Sequence, residues 1–388
     1  MRGIRQHGIE RSLYEECMDG MDALTASGHE PASGRLLAFF PFVHRNPFQT
    51  MLYARAFDHG FACFPFKAVD DVTTLPDDVK LVLHYHWLHR IFDQADSARE
   101  AKKVATRFGD RLQRQKEAGH QIVWTVHNVL SHAAAFPDEE LALREVVANI
   151  ANVIHVMNPR TADLCKPSYQ LDESKIISVP HSSYKDVYGD YVCARQARFE
   201  LGLKPEDTAF LLFGSLGQRK GTRQFLGEID RLQGTLKGRA TVVVAGSPGD
   251  AAFMDELQML VAGRSDVKLF PKHIDDQAVQ IFFKASDVVV CPYPQGLNSG
   301  VMATAATFAR PVVVPDMMAD ACPGLEAAVF SFAAGDMTSC VDACFRAVDG
   351  KEADGCKNTL QSWASEYDPR RVSDNFFMSL RNKLEQLS

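Results

Sequence analysis

The chain has 388 residues, 46% hydrophobic and 23% charged, with a formal net charge of −7. That length allows two or three domains with full cores, and the composition excludes a disordered or fibrous chain. Net negative charge, with no zinc knuckle or aromatic RNA-binding signature, argues against a nucleic-acid partner.

Residues 1–34 read as an N-terminal extension, a surface helix followed by the loose connector "TASGHEPASG". The segment is too charged for a signal peptide. No window of eighteen apolar residues promises a spanning helix. The nine cysteines include no C-x-x-C pair and read as reduced thiols. Together these lead us to expect a cytoplasmic protein, resting at most on the inner face of the cell membrane.

Short apolar runs then alternate with helical patterns. Six lie in 35–188: "RLLAFFPF", "GFACFPF", "VKLVLHYHW", "QIVWTVHN", "NVIHVMN" and "KIISVPH". Six more lie in 207–355: "AFLLFGS", "ATVVVAG", "VKLFP", "DVVVCPYP", "RPVVVPD" and "AVFSFAAGD". Continuous β-branched runs separated by amphipathic helices are the pattern of buried parallel strands in βαβ units. The expected fold is α/β, with two Rossmann-like doubly wound domains facing each other across a cleft. A linker is placed at 189–206, where no strand pattern occurs, and residues 356–388 are expected to pack back toward the N-terminal domain as a C-terminal helix. Ligands of open parallel sheets bind beyond the carboxyl ends of the strands, so chemistry is sought there.

In the first half, His127 closes a strand in "TVHN", and His132 follows in the adjoining loop. Histidine titrates near neutral pH and suits a general base or a donor to phosphate or sugar; a hydrogen-bonded core role explains His127 equally. Asp138 and Glu139 are the carboxylate candidates, though charge at a helix start also accounts for them. His84 and His86 share a strand face, but a pair without a third ligand predicts no metal site. The helix at 98–119 carries Lys102, Lys103, Arg107, Arg111, Arg114 and Lys116. It reads as a solvated face or as a peripheral membrane contact.

In the second half, "LLFGSLGQRKGT" (211–222) ends a strand with Gly214, Gly217 and Gly221 around Arg219 and Lys220. A glycine-rich turn brings backbone N–H groups to an anion, and two cations neutralise a diphosphate. In "CPYPQGLNSGVMATAATFARPVVVP" (291–315), Asn298 or Ser299 can cap the helix that follows. Gly300 lacks a Cβ, opening the first N–H groups to a ligand. Ala303, Ala305, Ala306 and Ala309 should let that helix pack tightly. Either loop alone has an ordinary structural explanation; two anion-ready loops in one domain favour a diphosphate.

These pieces, with "NPFQTMLYARAF" (46–57), "LVLHYHW" (81–87), "IVWTVHNVLSH" (122–132) and, more loosely, "HSSYKDVY" (181–188), resemble the GT-B glycosyltransferases. The likeness is greatest to the bacterial exopolysaccharide β-mannosyltransferases of the xanthan and acetan type. It implies transfer from a nucleoside-diphosphate sugar, GDP-mannose first and a UDP-sugar second, to a saccharide or lipid-linked oligosaccharide, with no cofactor and no metal. Arg219 and Lys220 match the pair that holds the diphosphate. Asn298, Ser299 and Gly300 match the helix start beside it, and Gly246 with "VKLFPKHI", hence Lys272, matches the region around the base. Retaining enzymes of glycosyltransferase family 4 carry two glutamates where this chain has Gly296 and Thr304. That departure favours inversion, with a retaining family 4-type enzyme, a sugar-nucleotide epimerase or a non-catalytic GT-B partner subunit as alternatives.

Overall fold

The computed structural model describes residues 11–29, 35–43, 46–131 and 134–386. The chain divides into two compact units, Met1–Pro180 with Pro369–Ser388, and His181–Asp368.

The first unit is built on a parallel sheet of β1 (Arg35–Phe40), β2 (Phe61–Pro65), β3 (Leu81–Tyr85), β4 (Gln121–Val126), β5 (Val153–Val156) and β6 (Ile176–Ser178), in the order β2-β1-β3-β4-β5-β6. Its helices are α1 (Leu13–Ala26), α2 (Phe48–Leu52), α3 (Ala98–Glu117), α4 (Pro137–Ile150) and α5 (Thr161–Cys165), joined by a C-terminal helix described below. β3 and β5 are buried at every position, which explains why they read as unbroken apolar runs. Sequence-local signals start the helices. Ser12 and Glu15 form a capping box at α1, Ser97 caps α3, and Pro137 opens α4 where its missing N–H costs nothing.

The second unit repeats the plan with β7 (Thr208–Phe213), β8 (Ala240–Ala245), β9 (Val267–Phe270), β10 (Val288–Val290), β11 (Val312–Pro315) and β12 (Val329–Phe332), in the order β12-β11-β10-β7-β8-β9. Its helices are α6 (Ala194–Glu200), α7 (Thr222–Leu226), α8 (Ile229–Thr235), α9 (Ala251–Val261), α10 (Asp276–Ala285), α11 (Gly300–Thr307), α12 (Met337–Gly350) and α13 (Asp354–Glu366). Phe210, Phe225, Leu232, Val244, Val288 and Val341 meet in one core under the sheet.

Two features differ from the sequence reading. Residues 181–188 pack within the second unit, where Tyr184 N donates to Thr307 Oγ1 at 2.9 Å and Ser183 N to the Tyr367 carbonyl at 2.7 Å. The last segment is two helices. α13 stays in the second unit, its Trp363 indole donating to the Pro323 carbonyl at 2.9 Å, whereas α14 (Pro369–Glu385) belongs to the first. There α14 buries Phe376, Phe377 and Leu380, and the Ser373 hydroxyl donates to the Leu52 carbonyl at 2.7 Å. Among the described residues no helix is long and apolar enough to cross a membrane.

Candidate functional site

In the second unit the chain winds from β7 through β8 to β9 on one side, and β10, β11 and β12 lie on the other. β7 and β10 are therefore neighbours at a topological switch point, the position where doubly wound sheets bind ligands. The turn after β7 carries Gly214–Gly221, and the loop after β10 leads to α11.

Backbone approach explains two of the glycines. Gly221 has φ +72°, and a Cβ there would overlap the Pro292 carbonyl oxygen. Gly246 has φ +150°, and its Cβ would overlap the Gly214 carbonyl oxygen. The first closure presses the cationic turn against the β10 loop. The second seats the end of β8 under the end of β7. Gly214 itself lies beside Val301 at the start of α11, with a Cβ position 3.7 Å from Val301 Cγ2.

Gln218–Lys220 form a short 3-10 turn. Arg219 points to solvent, while Lys220 is half-buried with its ammonium 4.3 Å from the centroid of the Tyr293 ring. No carboxylate pairs with Lys220 among the described ion pairs, and burial pulls its pKa below the ordinary lysine value. A half-buried cation over an aromatic face, lacking a counter-charge, favours an incoming anion. Tyr293 was missed in the sequence, although it stands two residues beyond Cys291 in the run that ends β10.

Ser299 is the N-cap of α11, its hydroxyl accepting from Val301 N at 3.2 Å. The same hydroxyl interacts with the Tyr293 phenol and the Cys291 thiol, linking the helix start to the ring under Lys220. Asn298 is half-buried in the same loop. The Gly300 expectation needs correcting: its Cβ position lies 2.6 Å from the Tyr184 hydroxyl and 3.7 Å from His181 Nε2, so the missing Cβ accommodates this chain's own side chains. Ala303, Ala305 and Ala306 are fully buried as expected. Ala309, by contrast, lies beyond the helix, exposed, with φ +53°. Gly217 borders open space, and Lys272 is exposed after β9. Thr304 turns its hydroxyl back to the Gly300 carbonyl at 2.7 Å, and a Cβ on Gly296 would lie 2.5 Å from Met318 Sδ. Neither position supplies a carboxylate.

In the first unit His127 directly follows β4, nine-tenths buried, stacked on Trp87 at 4.3 Å between centroids and edge-on to Phe48 at 5.0 Å. His86 Nδ1 lies 3.1 Å from His127 Nε2. Tyr53 joins His86 to His84 at 2.7 and 2.8 Å, and Thr125 joins His84 to His155 at 2.7 and 3.0 Å. Tyr53, Thr125 and His155 were not singled out in the sequence. Asp138 and Glu139 lie in the first turn of α4, lining a groove of about 530 Å³ against α3 with Lys102 and Val146. Glu140 beside them instead pairs with Arg144 at 2.5 Å. His132 lies outside the described residues. Among the described residues no group of three His, Cys, Asp or Glu side chains is placed to hold a metal.

Residues 207–349, most of the second unit, match the family model described as "Glycosyl transferases group 1". No curated protein matches the chain. Among solved structures, HepE (Alr3699) of Anabaena in complex with UDP superposes with a TM-score of 0.64 at 14% identity, covering 96% of this chain and 97% of that one. Sucrose-phosphate synthase from Thermosynechococcus elongatus gives 0.63 at 11% identity, covering 91% and 100%. An α,α-trehalose-phosphate synthase (UDP-forming) from Burkholderia vietnamiensis gives 0.57 at 12%, covering 91% and 99%. The chain thus has the two-unit α/β architecture of the GT-B glycosyltransferases, and its second unit carries the match to glycosyltransferase group 1.

Proposed function

We propose that this chain is a glycosyltransferase that moves a sugar, mannose first, from a nucleoside-diphosphate donor to a saccharide or lipid-linked saccharide, with inversion and without a metal. One observation carries the reading: Lys220, half-buried over Tyr293 without a carboxylate partner among the described residues, sits at the β7/β10 switch point beside the start of α11. In the reaction the acceptor hydroxyl loses its proton to a base, and its oxygen bonds to the anomeric carbon. The bond from that carbon to the diphosphate breaks with its electron pair on the leaving oxygen. Lys220, Arg219 and the positive end of α11 stabilise that charge, the part played by a divalent ion elsewhere. His127 of the first unit is the favoured base.

A UDP-sugar donor is the second reading, supported by HepE, whose complexes contain UDP and UDP-glucose. Inversion is supported by Gly296 and Thr304, which supply no carboxylate. The test is a donor screen in EDTA, comparing GDP- and UDP-sugars with free and lipid-linked acceptors in acidic vesicles. Transfer that produces the anomer opposite to the donor's is the expected result. Retention of configuration would replace inversion, conversion of donor without acceptor would make the chain an epimerase, and nucleotide binding without turnover would make it a partner subunit. Cations on α3 such as Lys102, Lys103 and Arg107 would give lipid-linked transfer a dependence on salt.

A further inference from the structure

A single file of hydrogen bonds joins seven groups of the first unit, and one end fixes its direction. His155 Nε2 lies 2.9 Å from the Val179 carbonyl oxygen. A carbonyl only accepts, so that nitrogen carries the proton, and in a neutral imidazole the other nitrogen accepts. Thr125 therefore gives its one hydroxyl proton to His155 Nδ1, and its oxygen accepts from His84 Nε2. His84 Nδ1 is then an acceptor and takes the Tyr53 proton. The Tyr53 oxygen accepts from His86 Nε2, which leaves His86 Nδ1 to accept from His127 Nε2. Every step follows from the one before.

The surroundings disfavour charge along the file. His84, His86, His155 and Thr125 have no exposed surface. Phe376 of α14 stacks on His84 at 5.6 Å and meets His155 at 5.1 Å, while Phe48 of α2 meets the rings of His86 and His127. Burial, then the neighbouring histidines, hold His84 and His86 well below the ordinary histidine pKa, and among the described residues no carboxylate acts on either. The Cys63 thiol acts on Tyr53. Asp374 of α14 turns instead to Arg55 and His59.

We propose that this buried file sets the tautomer of His127, holding its proton on Nε2 and making Nδ1 the nitrogen that takes the acceptor's proton. The second clause rests on the function proposed above; the first does not. On taking the proton His127 becomes an imidazolium whose Nε2–H stays on His86 Nδ1, and the acceptor oxygen keeps the pair that bonds to the anomeric carbon. Tyr53, Thr125 and His155 act through His127 and are positioning residues.

The test is nitrogen-15 NMR of the histidine rings in the full chain at neutral pH. The wild type should show His84, His86, His127 and His155 as the neutral Nε2–H form. Thr125→Val cuts the file four hydrogen bonds away from His127 and Tyr53→Phe cuts it two away; both should turn His127 into a mixture of tautomers. Each should lower kcat ~10–100-fold with the donor KM unchanged, as expected for a misplaced proton on a catalytic imidazole, and Thr125→Ser should restore both readouts. His127 as the Nδ1–H form in the wild type would overturn the proposal. So would an unchanged Nε2–H signal in both cut variants, and the wild-type spectrum decides alone should the variants fail to fold. The tautomer pattern without glycosyl transfer would leave the file standing and remove the proposed function; transfer without the pattern would do the reverse.

Discussion

Replacing Lys220 by alanine is expected to lower kcat/KM for glycosyl transfer about 10²–10³-fold, the range found when one charge-stabilising donor is removed from a transition state. The effect should lie mainly in kcat, because charge on the leaving diphosphate grows as the bond to the sugar breaks. Stability should move the other way. The ammonium is half-buried against an aromatic face, and among the described residues no carboxylate compensates it. Its removal relieves a desolvation cost, and the thermal midpoint of the free protein should not fall. Arg219, exposed on the same turn, cannot replace it over Tyr293. A variant with wild-type turnover would remove the turn from the mechanism. A variant that loses activity together with its cooperative melt would show that Lys220 serves the fold.

Gly246→Ala should give the largest loss of stability. Its φ of +150° is closed to residues with a side chain, and the added Cβ would overlap the carbonyl oxygen of Gly214. Strain at such a position costs ~1–3 kcal/mol, and forced overpacking adds ~1–3 kcal/mol more. Relief requires the ends of β7 and β8 to part, which would displace the whole cationic turn. We expect a fall in thermal midpoint of about 10 °C with loss of nucleotide binding. Gly217→Ala is the control: its φ of −133° is ordinary, and nothing lies within 4 Å of the new Cβ. That variant should melt within about 2 °C of the wild type. Calorimetric melting of the two variants checks the pair, and equal midpoints would contradict the close-approach argument.

The strands were legible because parallel strands buried on both faces carry continuous apolar runs, and "ATVVVA" of β8 is buried at all its positions. A cap at Asn298 or Ser299 was legible because both residue types are favoured before a helix, and the structure uses Ser299. The occupant of the space beside Gly300 was not legible, because Tyr184 arrives from more than a hundred residues earlier in the chain. The histidine file was illegible for the same reason. Register sets Thr125 directly beside His155, and α2 carries the chain into Tyr53, which spans His84 and His86. Neither relation leaves a mark on local spacing. Reading His84 and His86 as a pair on one face found the right side of the sheet but not the phenol that joins them. The break at Pro369 was passed over because two consecutive helices at 354–385 share one amphipathic texture, although proline at a helix start marks the joint.

Crystals soaked with GDP or UDP in the presence of EDTA test the central claim most directly. Both phosphoryl groups are expected between Lys220 Nζ and the start of α11, with Arg219 closing from solvent. Density for the nucleotide at any other part of the second unit would contradict that placement, and its absence at millimolar concentrations would contradict the donor site altogether.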